Sequence, residues 1–404
     1  MNDNLFRNTL TELSAIGKDP NGGLTRLLFT ESWMRAQQAL KAAFEKAGLA
    51  ARFDEAGNLY GRAQGTEKGT VLTGSHVDTV RNGGHLDGQY GIVAGFAAIK
   101  RLLEKHGPPK KSLEVVSFAE EEGSRFPYVF WGSKNVVGIA DRDKVREAKA
   151  ADGATMPEAM RALGFDFEKA PEPRKDIDAF VEIHIEQGGV LEKLGRQIGI
   201  VTAIVGQKRY VVRLKGKANH AGTTPMGMRL DAMECSARCM VALLDEARRE
   251  GDPLVLTFGR IELKPGVGNV VPGEALFSVD TRHTDRAVLD RFAGRIEATI
   301  RETAEKAGIG CEIERVMDEP PVPMDTGLTA LFGEVCKAGN LSHHVMHSGA
   351  GHDCQIMAAA YPSAMLFVPS INGISHNPEE NTEFGDLLAG VDALEGMLHR
   401  LAYR

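Results

Sequence analysis

The residues with the clearest chemical potential are histidines and acids that follow short apolar runs. His76 and Asp78 come after the apolar residues 70–74, and Asp87 lies in a glycine-rich stretch that precedes a predicted helix. Asp78 stands two positions after His76, so its carboxylate can accept the second ring N–H and fix the tautomer, as carboxylates do beside metal-bound histidines. The alternative is that His76 and Asp78 cap a helix and solvate a loop.

Three consecutive acids follow the next apolar run. Glu120, Glu121 and Glu122 come directly after residues 113–119, which are predicted to form a buried strand. Adjacent carboxylates at the end of such a strand repel one another unless a cation or solvent screens them. A centre with two metal ions would use one of these acids as a ligand and a neighbour as general base. The alternative is a solvated acidic turn.

A third group follows from the alternation of side chains along a strand. In extended backbone, Glu182, His184 and Glu186 share one face, which would be expensive to bury without a ligand or a metal. His376 lies in a loop after a later apolar strand. Two or three histidines with intervening carboxylates form a nitrogen and oxygen donor set that suits Zn²⁺, Mn²⁺ or Co²⁺.

Other histidines, cysteines and glycines are better explained without a functional site. His343, His344 and His347 lie in a stretch of strand and loop, which favours surface histidines over a metal pair. Cys235 and Cys239 are one turn apart on a predicted helix, and core packing accounts for them. The sequence contains no P-loop, no Gly-x-Ser-x-Gly elbow and no complete dinucleotide-binding fingerprint.

The elements that must position these residues change in character near Gln207. Before it, predicted strands alternate with helices, which indicates an α/β domain with a mixed, largely parallel sheet flanked by helices. After it, the βαββαβ order indicates a compact α+β insert that ends at the linker 319–323. The predicted domains are therefore 1–207, 208–322 and 323–404, the first and third forming one interrupted domain. The predicted helices are 5–16, 32–47, 91–104, 231–249 and 286–307, and the predicted strands are 70–74, 113–119, 179–185, 210–214, 254–261, 275–280, 311–316 and 364–368.

Composition excludes several classes of protein. The 404 residues are 43% hydrophobic and 25% charged, which excludes disordered and fibrous chains, and the net charge of −7 offers no basic field for nucleic acid or anionic lipid. No apolar run approaches the roughly 18 residues of a membrane span. The first four residues lack the features of a signal peptide, and the five cysteines are scattered without a Cys-x-x-Cys motif. We therefore expect a cytoplasmic protein without a nucleic-acid or membrane partner.

Five stretches, in order along the chain, carry a resemblance to a known family: Gly-Ser-His-Val-Asp-Thr-Val (74–80), Leu-Asp-Gly-Gln-Tyr-Gly (86–91), Glu-Glu-Gly-Ser-Arg-Phe (121–126), His-Ile-Glu-Gln-Gly (184–188) and Asn-His-Ala-Gly-Thr-Thr-Pro-Met (219–226). They resemble the M20-type metallo-amidohydrolases, within the branch that hydrolyses ureido compounds. Residues 126–135 and 347–353 look closest to the allantoate amidohydrolases of that branch. N-carbamoyl-L-amino acid hydrolases and β-ureidopropionases are the alternatives.

The resemblance implies a centre with two divalent ions, zinc or manganese, in each subunit. One ion would be held by His76 and His184, and the other by Glu122 and His376, with Asp87 bridging the two. Glu121 would be the general base, and Asp78 would support His76. A non-catalytic relative that only binds a ureido ligand would have little use for Glu121, which ligates neither ion in this scheme.

The resemblance also implies a substrate site and an assembly. The smaller domain would be a lid that forms a homodimer contact, and the substrate would be a small ureido compound that bears a carboxylate. Arg282 would bind that carboxylate, although an ion pair with Asp280 or Asp285 is the alternative for this arginine. His220 would donate to the developing oxyanion, either in its own subunit or in the partner subunit. The implied reaction converts allantoate and water to ureidoglycine, ammonia and carbon dioxide. The implied substrate residues are His220, Asn269 and Arg282, with weaker support for Gln187, Arg209, Ala350 and Gly351.

Overall fold

The computed structural model describes residues 3–404 and divides the chain into two units. One unit is built from residues up to Thr202 and from Met324 to Arg404, and the other is Ala203–Pro323. Met1 and Asn2, which belong to the N-terminal stretch tested for signal-peptide features, lie outside the described residues. The catalytic role assigned to the interrupted domain and the lid role assigned to the insert remain predictions.

Sixteen strands are present in the described part of the chain. They are β1 (Ala50–Phe53), β2 (Leu59–Ala63), β3 (Thr70–His76), β4 (Ser112–Phe118), β5 (Ile177–Ile185), β6 (Ile198–Ile204), β7 (Gly206–Lys215), β8 (Asn219–His220), β9 (Val255–Thr257), β10 (Ile261–Lys264), β11 (Val270–Val271), β12 (Glu274–His283), β13 (Gly310–Glu319), β14 (Val322–Pro323), β15 (His343–Ser348) and β16 (Ser363–Val368).

Twelve α-helices accompany the strands over the same described residues. They are α1 (Asp3–Leu13), α2 (Glu31–Lys46), α3 (Gln89–His106), α4 (Trp131–Val137), α5 (Arg142–Arg146), α6 (Met156–Ala162), α7 (Val190–Leu194), α8 (Ala232–Glu250), α9 (Arg286–Lys306), α10 (Thr326–Ala338), α11 (Asp353–Met357) and α12 (Phe384–Ala402). None of these helices combines the length and apolar composition that a membrane crossing requires.

The larger unit is organised by a mixed sheet in the order β1-β2-β4-β3-β5-β16-β6, with β15 also paired to β6. The central strands β4, β3, β5 and β16 are parallel, and the pairs β1–β2, β2–β4 and β16–β6 are antiparallel. Every residue of β3 and β4 is buried, as expected for parallel strands covered on both faces. The mixed α/β architecture predicted from the sequence is confirmed.

Parallel pairing brings the ends of three central strands to one edge of this sheet. His76 is the last residue of β3 and pairs with Phe118, the last residue of β4. Glu120 follows Phe118 by two residues, and His184 is the penultimate residue of β5. The carboxyl edge of an open α/β sheet is the usual place for a binding site, so the fold gathers here residues that are far apart in the sequence.

The smaller unit is an antiparallel sheet with two helices. Its strands run β10-β12-β7-β13, and β9 also pairs with β12. Burial alternates along β12, and its inward residues join buried residues of α8 and α9 in one apolar core that includes Cys235 and Cys239. The predicted packing role of these two cysteines is confirmed.

The prediction of one continuous strand over residues 254–261 in the smaller unit was wrong. Residues 254–261 form β9 and then a non-strand segment, and β10 begins only at Ile261. Both short strands pair with β12, at Asp280–Arg282 and at Glu274–Phe277 respectively. The residues between them leave the ladder, and only the backbone N–H of Ser278 still donates to the carbonyl of Arg260 there. The predicted βαββαβ order therefore holds with its second strand in two pieces.

Candidate active site

The carboxylate of Asp87 lies among three imidazole rings. Its Oδ1 is 3.5 Å from Nε2 of His76 and 3.5 Å from Nε2 of His184, and its Oδ2 is 3.4 Å from Nε2 of His376. Asp87, His76 and His184 are buried, whereas the side chain of His376 is 47% exposed. These four residues come from the end of β3, the loop before α3, the end of β5 and the loop after β16.

The two buried histidines are held with their Nε2 atoms towards Asp87. The Nδ1 of His184 lies 2.9 Å from the carbonyl oxygen of Ile185, so Nδ1–H donates there, and Nε2 accepts the N–H of Gly88 at 2.9 Å. The Nδ1 of His76 lies 3.1 Å from the backbone oxygen of Asp78. The contacts at Nδ1 thus hold both rings with Nε2 facing the Asp87 carboxylate.

Glu122 completes a set of donor groups around Asp87. Its Oε1 is 3.4 Å from Nε2 of His376. In three groups of residues the possible ligand atoms all lie within 4.8 Å of one another: His76 with Asp87 and His184, His76 with Glu121 and Glu122, and Asp87 with Glu122 and His376. His76, Asp87 and Glu122 each belong to two of these groups, and Asp87 is the member that links the pair His76 and His184 to His376. The described residues thus contain a potential metal-binding cluster.

The residues of the cluster fit a divalent cation. The Oε1 atom of Glu122 is buried without a hydrogen-bond partner, and burial together with the charge of Asp87 raises the pKa of Glu122 to about 7. A buried acceptor without a partner is costly, as is a set of acceptors that face each other, and a cation would relieve both costs. Imidazole nitrogens with carboxylate oxygens suit zinc and manganese.

Asp78 ties His76 to the acidic triplet. Its Oδ1 lies 3.3 Å from Nδ1 of His76, and its two carboxylate oxygens accept the backbone N–H groups of Glu121 and Glu122 at 3.2–3.3 Å. The partners of Asp78 are loop amides rather than a helix terminus, so the helix-capping alternative was wrong. The solvated-turn alternative for the triplet was also wrong, because Glu120 and Glu121 are buried.

Glu121 has the electrostatic surroundings of a proton acceptor. Burial raises the pKa of its carboxyl well above the usual range, and the charges of Glu122, Asp353 and Asp78 add to this against the opposing charge of His76. A general base works best when its pKa is close to the operating pH, and burial beside like charges is the usual way to raise the pKa of a carboxyl. Glu121 also belongs to one of the three donor groups, so its role needs a direct test.

Gly88 is required where His76 and Asp87 approach each other. Its φ of +65° is rarely adopted by L side chains, and a Cβ built at this position would lie 2.5 Å from both ring nitrogens of His76. Its N–H is also the donor to His184. The loop can therefore pass between the two histidines only where the side chain is a hydrogen atom.

Replacing Gly88 with alanine is expected to lower metal affinity sharply and to destabilise the fold by roughly 1–3 kcal/mol through backbone strain. Gly107 provides the matched control, because it ends the same helix with φ of +72° and has no atom within 4 Å of a built Cβ. Gly107→Ala should show the strain without the loss of metal. Thermal unfolding and metal content of both variants check this, and equal metal content would contradict it.

Glu186 does not join the cluster, although alternation predicted a shared face with Glu182 and His184. Strand β5 ends at Ile185, so the two-residue period no longer applies to Glu186. Its carboxylate instead accepts the N–H groups of Val190 and Leu191 at the start of α7, at 2.7 and 2.9 Å. The prediction of one face for all three residues was wrong for this reason.

Two buried residues beside the cluster were missed by sequence reasoning. The His352 ring lies 4.7 Å from the His184 ring, with its Nε2 3.0 Å from Oγ of Ser348, and burial with the nearby charge of His184 lowers its pKa well below the usual value. Asp353 is buried and accepts the hydroxyl of Ser133 at 2.5 Å. Both lie in the stretch 347–353, which resembles the allantoate amidohydrolases, but the resemblance implied no role for either residue.

Three of the weaker candidates lie near the cluster. Gln187 donates from Nε2 to Oδ2 of Asp87 at 2.8 Å. The N–H of Ala350 donates to Oγ of Ser348, the partner of His352, at 3.2 Å. A Cβ built on Gly351 would lie 3.1 Å from Cζ of Phe130, whose backbone N–H donates to the Glu121 carbonyl.

Two predicted substrate residues of the smaller unit share one carboxylate. Asp280 accepts from Nε of Arg209 at 2.7 Å, and Nε and Nη2 of Arg282 reach its two oxygens at 3.0 and 3.2 Å. The ion pair with Asp280 considered for Arg282 is therefore present. Asp285 instead accepts the N–H groups at the start of α9. Burial raises the pKa of Asp280, but Arg282 and Arg209 outweigh it and hold that pKa below its usual value.

The other two substrate candidates lie at a separate two-stranded sheet of the same unit, β8 with β11. His220 pairs with Val270 between β8 and β11, and the N–H of Ala221 donates to the carbonyl of Asn269 at 3.0 Å. The side chains of His220 and Asn269 are both exposed. The smaller unit thus holds an arginine pair and a histidine–asparagine pair.

Known proteins resemble this chain over nearly its full length. It is 53% identical to an allantoate amidohydrolase of Escherichia coli (strain K12), covering 98% of this chain and 97% of that protein. It is 45% identical to an allantoate amidohydrolase of Bacillus subtilis (strain 168), covering 98% of each. The crystal structure of an amidase of the hydantoinase/carbamoylase family from Burkholderia multivorans superposes with a TM-score of 0.93 at 32% identity, covering 98% of this chain and 97% of that one.

The family profile described as peptidase family M20/M25/M40 matches residues 72–400. That range spans all six residues of the three donor groups, from His76 to His376. The match and the full-length relatives confirm the resemblance to the M20-type enzymes. This chain belongs to peptidase family M20/M25/M40.

Proposed function

We propose that this chain hydrolyses allantoate with water to ureidoglycine, ammonia and carbon dioxide. The observation that carries the proposal is the placement of the Asp87 carboxylate within 3.5 Å of three histidine Nε2 atoms. Glu121 lies in the donor group that His76 shares with Glu122. The two full-length relatives named allantoate amidohydrolase support the choice of substrate.

Two divalent ions, zinc or manganese, would be held by the cluster. His76 and His184 would bind one ion, Glu122 and His376 the other, and Asp87 would bridge them. When bound, such ions lower the pKa of a water molecule and polarise a carbonyl oxygen. Asp78 would keep His76 in its ligand tautomer through the contact at Nδ1.

Glu121 would move the proton in this reaction. Its carboxylate takes a proton from the attacking water as the new C–O bond forms at the ureido carbon. It then donates that proton to the nitrogen that leaves as the first C–N bond breaks. The carbamate that this step leaves loses carbon dioxide, which breaks the second C–N bond of the ureido carbon and completes the release of ammonia and ureidoglycine. Asp78 holds the Glu121 backbone in place by accepting its N–H.

The substrate would be recognised mainly by the smaller unit. Arg282 pairs with the substrate carboxylate through its planar guanidinium, while Asp280 orients it and Arg209. His220 donates to the oxyanion that develops on the carbonyl, and Asn269 adds a polar contact beside it. In the larger unit, Gln187 and the loop at Ala350 and Gly351 would add substrate contacts beside the cluster.

Replacing Arg282 with alanine is expected to lower kcat/KM for carboxylate substrates by about 30- to 1,000-fold, which corresponds to roughly 2–4 kcal/mol. Arg282→Lys should recover only part of the loss, because an ammonium cannot make the two-point contact of a guanidinium. Arg260→Ala is the matched control, since Arg260 also pairs with an acid two positions away, at 2.8 Å from Glu262.

The comparison of allantoate with its neutral amide analogue decides the role of Arg282. A loss of kcat/KM on allantoate alone supports the contact between Arg282 and the substrate carboxylate. Equal losses of kcat/KM on both substrates would refute that contact and leave Arg282 in its ion pair with Asp280.

We further propose that the enzyme works as a homodimer in which His220 serves the partner's site. Arg209 lies opposite Asp280 near the start of β7, and strand β8 with His220 follows the end of β7 at Lys215. The strand from Arg209 to Lys215 spans roughly 20 Å, longer than a small ureido substrate. Two copies would let both pairs of residues reach one substrate, and a monomeric mass for the active enzyme in solution would refute this.

A reducing compartment such as the cytoplasm would suit the cysteines. All five are free thiols, and four of them are buried. Buried thiols without partners are ordinary where disulfides do not persist. The protein should be fully active after expression in the cytoplasm and should lose activity after export to an oxidising compartment. This pair of results would support the cytoplasmic location.

The test of the proposed function is ammonia release after manganese is added to metal-stripped protein. Allantoate, N-carbamoyl-L-amino acids and β-ureidopropionate are compared at equal concentration, with a chelator as the control. We expect the highest kcat/KM with allantoate and none after chelation. A higher kcat/KM with an N-carbamoyl-L-amino acid than with allantoate would refute the proposed substrate and favour N-carbamoyl-L-amino acids instead.

A further inference from the structure

Glu380 links two loops of the candidate metal centre. It is buried, and its Oε1 accepts the backbone N–H groups of Leu86 and Asp87 at 2.8 and 3.0 Å. Its Oε2 accepts the hydroxyl of Ser375, the neighbour of His376, at 2.8 Å. Glu380 lies on the same connection between β16 and α12 as His376, so its carboxylate ties that loop to the loop that carries Asp87.

The contact extends to the ligand atoms themselves. The Oγ atom of Ser375 also lies 2.9 Å from Oδ2 of Asp87, the oxygen nearest to His376. Gly84 leaves the space that the Glu380 carboxylate fills, since a Cβ there would overlap that carboxylate. The absence of a side chain at Gly84 and the hydroxyl of Ser375 thus both accommodate the Glu380 carboxylate.

Without this carboxylate, the two loops would lose their shared partner. The N–H groups of Leu86 and Asp87 are buried with Glu380, and leaving them without an acceptor costs about 1–3 kcal/mol each. The loops would then have to be ordered by the metal ion, which would lower its apparent affinity. The structure separates this role from that of the ligands, because Glu380 belongs to none of the donor groups among the described residues.

We infer that Glu380 is a positioning residue that preassembles the Asp87–His376 half of the metal centre. The inference rests on the proposed metal centre, but it does not depend on the identity of the substrate. Glu380 acts through Asp87 and Ser375 and touches neither ion.

The experiment titrates Mn²⁺ into metal-stripped full-length protein by calorimetry, well below the unfolding temperature of each variant. Glu380→Ala is expected to weaken the affinity of one Mn²⁺ site by about 10- to 100-fold, the usual effect of losing a partner that orients ligands. Ser375→Ala should weaken the same site less. Glu379→Ala is the matched control, because its exposed side chain makes no hydrogen bond within the described residues, and it should bind as the unchanged protein does.

A folded Glu380→Ala variant that binds Mn²⁺ with unchanged affinity would overturn the inference, even if its thermal stability fell. If that variant does not fold, Glu380→Asp decides, since it keeps the charge but shortens the side chain by one methylene and so draws the carboxylate away from the N–H groups of Leu86 and Asp87. Unchanged affinity in Glu380→Asp would then overturn the inference. Two Mn²⁺ sites without allantoate hydrolysis would refute the proposed function and leave the role of Glu380 intact.

Discussion

Replacing Glu121 with glutamine is expected to keep both metal positions filled and to lower kcat by about 10²- to 10⁴-fold, the usual range for the loss of a general base. The amide preserves the shape of the side chain but cannot accept a proton from water. Glu122→Gln is the matched control, because the same change at the next position removes a proposed ligand. Its metal content should fall.

Metal analysis of the two variants together with their kcat values separates the roles. Glu121 shares a donor group with His76 and Glu122, so a role as ligand has structural support as well. An empty metal position in Glu121→Gln would make Glu121 a ligand and would leave the general base unassigned.

Replacing Asp87 with alanine is expected to abolish binding of both ions. Asp87 is the member shared by the group with His76 and His184 and the group with Glu122 and His376. Removing its carboxylate leaves each ion with two protein ligands and removes the charge that screens the ions from each other. The increase in unfolding temperature that metal addition gives the unchanged protein should vanish as well.

His376→Ala provides the comparison for Asp87→Ala. It should lose one ion per chain and keep the other, because His376 belongs only to the group with Asp87 and Glu122. Metal content per chain measures both variants. Retention of one ion in Asp87→Ala would show that Asp87 does not bridge.

The sequence was informative where chemistry coincides with the end of a regular element. His76 and His184 could be predicted as neighbours because both end buried strands, and such strands deliver their last residues to one edge. Their donor partner Asp87 follows from the glycine-rich loop before α3. The mixed α/β fold was predicted on the same basis, from strands that alternate with helices.

Other features depended on contacts that a local pattern does not contain. Glu380 accepts a hydrogen bond from Leu86, which is 294 positions away in the sequence, so no local spacing pattern predicts this contact. Gln187 and His376 both have positive φ angles, 59° and 55°, which cannot be predicted from the residue types. Glu186 was misplaced because the end of β5 depends on where its ladder to β16 stops, at Ile185.

The interruption of the larger unit has a consequence for how the enzyme is made. Five of the six residues in the donor groups precede the inserted unit Ala203–Pro323, and His376 follows it together with Glu380. Because a ribosome delivers the chain from the N-terminus, the nascent chain carries His76, Asp87 and His184 long before their last partners exist. A polypeptide that terminates early, even after nine-tenths of its length, lacks His376 and so cannot form the complete centre. Under the proposed metal centre, metal binding and activity would thereby be tied to completed synthesis.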